Sequence, residues 1–200
     1  MIFEKGHFRS SRIEKAFINE SLKETRTFSA KYAYNTKTTV FLSHKHEDLE
    51  EIKEAAGVIE FLEEKGVKVY IDSMDNKMPD QTSGETAARI KEVIEYCDKF
   101  ILLATAKAIE SFWCNWELGI GDVHKFKNHI AILPVKEKGE NDFQYKGNEY
   151  LQIYPHIDYR DGTTYYRNSS NRIEKGYYVV QPKNKEGITY IDPLETWLSQ

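Results

Sequence analysis

Within the run Ser111-Phe112-Trp113-Cys114-Asn115-Trp116-Glu117-Leu118, a tryptophan and a glutamate stand four residues apart, the spacing that puts both on one face of a helix. The run carries a single charge among bulky apolar neighbours. A carboxylate set against Trp113, Cys114, Trp116 and Leu118 occupies a costly place to hold that charge, which separates Glu117 from the solvated glutamates most helices carry. Beside an indole, in a partly dry pocket, such a group can stabilise a cationic sugar, orient ribose hydroxyls or handle protons, according to its pKa.

The elements that must position this helix follow from periodicity. Thr38 to Ser43 is a β-branched and aromatic run that reads as a strand, and Asp48 with Glu51 forms a capping-box pattern for the helix after it. Ile52, Ala55, Ile59 and Leu62 give that helix its apolar face, and Gly66 sits where a left-handed C-terminal residue is wanted. Val67 to Asp72 reads as a second strand, followed by a loop from Ser73 to Gly84 containing Pro79. A helix with Ala87, Ile90, Val93, Ile94 and Cys97 inward comes next. Phe100 to Ala104 is apolar without alternation, as a central parallel strand requires. The glutamate helix spans about Phe112 to Phe126, His129 to Val135 is a further strand, and Tyr150 to Tyr154 reads as a fifth strand ended by Pro155.

Strand alternating with helix in this way predicts an α/β fold, a flavodoxin-like doubly wound parallel sheet of order 2-1-3-4-5. An N-terminal helical segment precedes it over residues 1–35, with Ser11 and Glu14 as its capping box. The core takes residues 36–157, and a tyrosine-rich extension follows over 158–200, with a hairpin around Tyr177 to Val180 and a last helix burying Leu194, Trp197 and Leu198. Ligands of such sheets bind at the carboxyl ends of the strands, where the strand order reverses. That rule nominates Ser43, His44 and Lys45 after the first strand, Asp72 and Ser73 after the second, and Thr105 after the third.

Composition removes several classes. Basic residues (28) are interspersed among 32 acidic ones for a net charge of −4, against the basic footprint a nucleic-acid binder needs. No run of about 18 apolar residues exists and the first residues lack a signal-peptide core, so a cytoplasmic protein without membrane association is expected. Cys97 and Cys114 fit neither a disulfide framework nor a metal pair, and His44-x-His46-Glu47 lacks further ligands at recognisable spacing, so no metal is expected.

The Ser111 to Leu118 run resembles the Ser-x-Trp-Cys-x-x-Glu-Leu signature of TIR domains. Phe41-Leu42-Ser43-His44 is similar to the family's first-strand motif, Val69-Tyr70-Ile71-Asp72 to its second, the Ser73 to Gly84 loop to its BB loop, and Ile132-Leu133-Pro134-Val135 to its fourth strand. The resemblance covers roughly Thr38 to Pro155. It implies cleavage of the nicotinamide–ribose bond of NAD+, with Glu117 catalytic and NAD+ as substrate, no other cofactor being needed. Phe41, Leu42, Ser43, His44, Lys45, Asp72, Ser73 and Trp113 then make up the substrate-binding set. Small bacterial members, of the kind found in Thoeris anti-phage systems, make cyclic or conjugated ADP-ribose signals read by a separate effector protein, and self-association through TIR surfaces is implied as well.

The chain departs from the family where His44-Lys45-His46-Glu47-Asp48 replaces the Arg-Gly-x-Asp of many plant relatives. Lys45 can stand in for the arginine only as a point charge. Two other readings compete: a non-catalytic assembly module driven by the Ser73 to Gly84 loop, and a nucleoside deoxyribosyltransferase-like enzyme. Nicotinamide release and base exchange on deoxynucleosides, respectively, separate them from the first.

Overall fold

A computed structural model describes residues 2–9, 37–45, 49–72, 83–125, 127–140, 145 and 147–200. The helix expected around Ser11 to Arg26, the Asp48 cap and the Ser73 to Thr82 stretch of the loop with Pro79 lie outside those residues.

In chain order the elements are β1 (Phe3–Glu4), β2 (Thr39–Ser43), α1 (Leu49–Glu64), β3 (Lys68–Tyr70), α2 (Gly84–Tyr96), β4 (Lys99–Ala104), α3 (Ala106–Ile109) and α4 (Phe112–His124). They continue as β5 (Ile130–Lys136), a 3-10 turn (Glu149–Ile153), β6 (His156–Arg160), β7 (Gly176–Val180), β8 (Ile191–Pro193) and α5 (Leu194–Ser199). The sheet runs β3-β2-β4-β5-β6-β7-β8. Its first five strands pair in parallel, which is the expected 2-1-3-4-5 order, whereas β7 and β8 are antiparallel additions. Among the described residues no helix is long and apolar enough to cross a membrane.

Two buried layers flank the sheet, and the two-residue period of the strands divides them. Val40 and Leu42 of β2, Ile101 and Leu103 of β4, and Leu133 and Val135 of β5 face a core shared with α1, α5 and the N-terminal residues Phe3 and Phe8. Phe41, Phe100, Leu102 and Ile132 face the opposite core with α2 and α4. All six residues of β4 are buried, and the apolar run Phe100 to Ala104 is the middle of the five parallel strands. Gly66 has φ +87° just after α1, the conformation its sequence position required.

The fifth strand is displaced from its expected place. In place of a strand over Tyr150 to Tyr154 there is the 3-10 turn Glu149–Ile153, with Leu151 inward and Tyr150 and Ile153 exposed, and the strand begins after Pro155. Pro155 starts the ladder instead of ending it: its carbonyl accepts from the Ile132 N–H at 2.8 Å. A missing N–H costs nothing at the first position of a strand. The boundary drawn between residues 157 and 158 accordingly falls inside β6. Residues beyond it continue the same sheet through five β6–β7 register pairs. The expected hairpin strand is β7, and α5 buries Leu194, Trp197 and Leu198.

Candidate active site

Ser111 caps α4, its hydroxyl accepting from the Cys114 N–H at 3.4 Å. The buried face of α4 presents Cys114, Glu117, Leu118 and Gly121. Gly121 allows the helix to approach β4: a Cβ there would stand 3.1 Å from the Phe100 ring. One helical turn earlier, that close approach sinks Glu117 to 2% exposure. Ser43 shares its side of β2 with Phe41, facing α4, and its hydroxyl donates to the Glu117 Oε2 at 2.5 Å.

Burial pushes the Glu117 carboxyl well above its ordinary value, and the neighbouring Asp72 charge pushes in the same direction. Hydrogen bonds from the side chains of Ser43 and Trp113 pull it back in part. Cys114, three residues before Glu117, is a thiol and not a thiolate: burial, aided by the Glu117 charge, pushes it up to about 11. The site can therefore hold a proton, release it as a cation approaches, and exclude water, but Cys114 offers no ready nucleophile.

Ser43, Asp72, Trp113 and Glu117 thus come together. Trp113 is half-buried and packs on Trp116 with ring centroids 5.1 Å apart. His44 is buried and Lys45 half-buried just beyond Ser43. Phe41 and Leu42 are buried in the two cores that flank the sheet. Phe41 stacks between Tyr70 and Phe100 in one core, and Leu42 points into the other. Alternation along β2 puts Phe41 on the side of Ser43 and Leu42 on the other. Ser73 lies outside the described residues. Thr105 caps α3 and donates from its hydroxyl to Glu51 at 2.7 Å. Cys114 was missing from the expected set, although its place three residues before Glu117 on the same helix face was a signal for it.

Comparison with known proteins gives a consistent picture. A family model described as TIR domain matches residues 40–173. A protein of Bacillus cereus (strain MSX-D12) named probable 3' cyclic ADP-D-ribose synthase ThsB' is 31% identical over 153 residues, covering 76% of this chain and 72% of that protein. A solved 2-deoxyribosyltransferase from Bacillus psychrosaccharolyticus aligns at a TM-score of 0.41 with 14% identity, over 53% of this chain and 77% of that one, a likeness too loose to carry weight. With more than half its length matched by the family model and a relative this similar, the chain belongs to the TIR-domain family.

Proposed function

We propose that this chain cleaves the nicotinamide–ribose bond of NAD+ and transfers the ADP-ribosyl unit into a cyclic or conjugated nucleotide that signals in bacterial anti-phage defence. The observation that carries the reading is Glu117, buried, hydrogen-bonded to Ser43, and held on one helix face with Trp113. The 31% identity to a protein named as a cyclic ADP-ribose synthase points to the same chemistry.

Nicotinamide leaves with the electron pair of its C–N bond, and positive charge develops on the anomeric carbon and ring oxygen of the ribose. Approach of the cationic nicotinamide ribose favours the ionised form of Glu117, so the carboxylate faces the sugar as it becomes oxocarbenium-like. Ser43 fixes the orientation of that carboxylate, and Trp113 walls the nicotinamide. When a hydroxyl captures the anomeric carbon, its proton passes to the Glu117 carboxylate; a ring nitrogen without hydrogen needs no such acceptor. Exclusion of water favours transfer over hydrolysis, and Glu117 at 2% exposure suits a water-poor site. Lys45 and Ser73 with the backbone of Phe41, Leu42 and His44 orient phosphate or ribose, and Asp72 tunes Glu117.

The enzyme acts in the cytoplasm, its product is read by a separate effector protein, and the chain self-associates. The outer face of α4 supports self-association. Phe112 and Val123 are 95% and 79% exposed there, on the side opposite Glu117. Association would cover these two large apolar side chains, which otherwise stand in water. Phe112→Asp should shift the oligomer to monomer in light scattering, and an unchanged mass removes this face from consideration.

The test is incubation of the purified chain with NAD+, with and without infected-cell lysate, following nicotinamide and identifying the nucleotide by mass. Release of nicotinamide together with a cyclic or conjugated ADP-ribose species is expected. Intact NAD+ under both conditions overturns the reading.

A further inference from the structure

Residues 2–9 reach the carboxyl edge of the sheet from the far end of the sequence. β1 pairs in parallel with Val135 and Lys136, and the Lys5 N–H donates to the Lys136 carbonyl at 2.8 Å. Phe3 and Phe8 are buried beside α1. Gly57 is the notch that admits the segment, since a Cβ there would stand 2.3 Å from the Phe8 carbonyl oxygen. The Gly6 N–H donates to Glu54 at 2.7 Å, and Arg9 bridges Glu50 at 2.7 Å.

One side chain of this arm connects to the catalytic helix. The Lys5 ammonium donates to Glu51 at 2.8 Å and to Glu137 at 2.9 Å. Glu51 is 2% exposed, and its second oxygen accepts from the Thr105 hydroxyl at 2.7 Å. That hydroxyl accepts in turn from the Ala108 N–H at 3.2 Å and so caps α3. From the end of α3, the Ile109 carbonyl accepts from the Asn115 amide at 2.9 Å, which ties α3 to the first turn of α4.

We infer that the arm of residues 2–9 positions the catalytic helix, with Lys5 as a positioning residue acting through Glu51, Thr105 and α3 on Trp113 and Glu117. An ion pair of this kind gains little net stability over an apolar pair, but it fixes geometry, and losing one partner leaves the other charge buried and uncompensated. Without Lys5, Glu51 loses the ammonium that holds its first oxygen at 2.8 Å, and the cap of α3 loosens with it. The consequence for catalysis rests on the reading of Glu117 given above; the mechanical link does not.

Hydrogen exchange of the full chain, read over residues 106–117, tests the link without requiring activity. Lys5→Met should speed exchange there by roughly 10-fold or more, because the opening free energy of a local unit falls when its buried contacts are cut. Lys5→Arg should restore protection to within about 2-fold by remaking the charge contact. Arg9→Met loosens the same arm through Glu50 and Glu54, and should leave 106–117 within about 2-fold of the parent. In an active preparation Lys5→Met should lower kcat roughly 10-fold with KM little changed, since misplacing a reacting group by under an ångström costs that much. If Lys5→Met does not fold, Glu51→Gln carries the same comparison, keeping the shape while removing the charge. Exchange over 106–117 that is unchanged in Lys5→Met, or raised equally by Arg9→Met, overturns the positioning role. A link seen in exchange alongside a silent NAD+ assay in every variant would count against the enzymatic reading and leave the link standing.

Discussion

Glu51 and Glu54 on α1 and Glu117 on α4 are all buried carboxylates, yet they are held by opposite means. Glu51 has the Lys5 ammonium at 2.8 Å and the Thr105 hydroxyl at 2.7 Å. Burial pushes Glu54 up, while the Gly6 N–H and the charges of Arg9 and Lys5 hold it down. Glu117 is held by a hydroxyl and an indole, and the charged neighbour that acts on it is another acid, Asp72. Carboxylates that serve the fold are given cations, which is how a buried charge is ordinarily tolerated. Under the proposed function, Glu117 is left poised for a cation that the substrate brings. Perturbed pairs of this kind concentrate at functional sites.

The largest effect that could break this contrast is loss of the poised group. Glu117→Gln should lower kcat for nicotinamide release by about 10³-fold or more while circular dichroism reports an unchanged fold, since it removes the charge that faces the forming cation. Residual activity within about 10-fold of the parent would put Glu117 with the structural carboxylates. Next in size is the arm that supplies the cations. Gly57→Ala places a Cβ on the Phe8 carbonyl and should cost roughly 2–3 kcal/mol in urea unfolding, within the range for overpacking. A change under about 0.5 kcal/mol would mean that the arm does not depend on that notch.

The smallest effect is one of sign. The fold raises the Glu117 carboxyl, so the native state binds its proton more tightly than the unfolded chain, and stability declines as pH rises above the ordinary value of 4.5. Glu117→Gln removes that decline. The variant should be about 1 kcal/mol more stable than the parent near neutral pH and should lose the advantage below pH 4.5. A variant destabilised at both pH values would show that the ionised carboxylate is satisfied where it lies.

Much of this was legible along the chain because it is local. The four-residue step from Trp113 to Glu117, the apolar run of β4 and the turn at Gly66 each express a geometry that a short window contains. Pro155 misled because a proline bounds a strand at either end, and only the partner strand decides which. Phe41 and Leu42 were drawn into the substrate set with Ser43 by resemblance; alternation keeps Phe41 on the side of Ser43 and turns Leu42 into the opposite core. The arm left no signal at all: β1 is two residues long, and Lys5 meets partners 46 and 132 positions away. The Glu51 carboxylate meets Lys5 and Thr105, while its expected cap partner Asp48 lies outside the described residues. Such contacts exist only after the sheet has formed.

The pH profile of kcat/KM for nicotinamide release, measured for the parent and for Ser43→Ala, tests most directly whether a buried, poised carboxylate governs the reaction. The Ser43 hydrogen bond holds the Glu117 carboxyl down against burial, so deleting it raises the pH at which the ionised form appears. The parent should show an acid limb above the ordinary value of 4.5, and Ser43→Ala should move that limb upward, with about 10-fold lower activity at neutral pH. An acid limb at the ordinary value, unmoved by Ser43→Ala, would contradict the account.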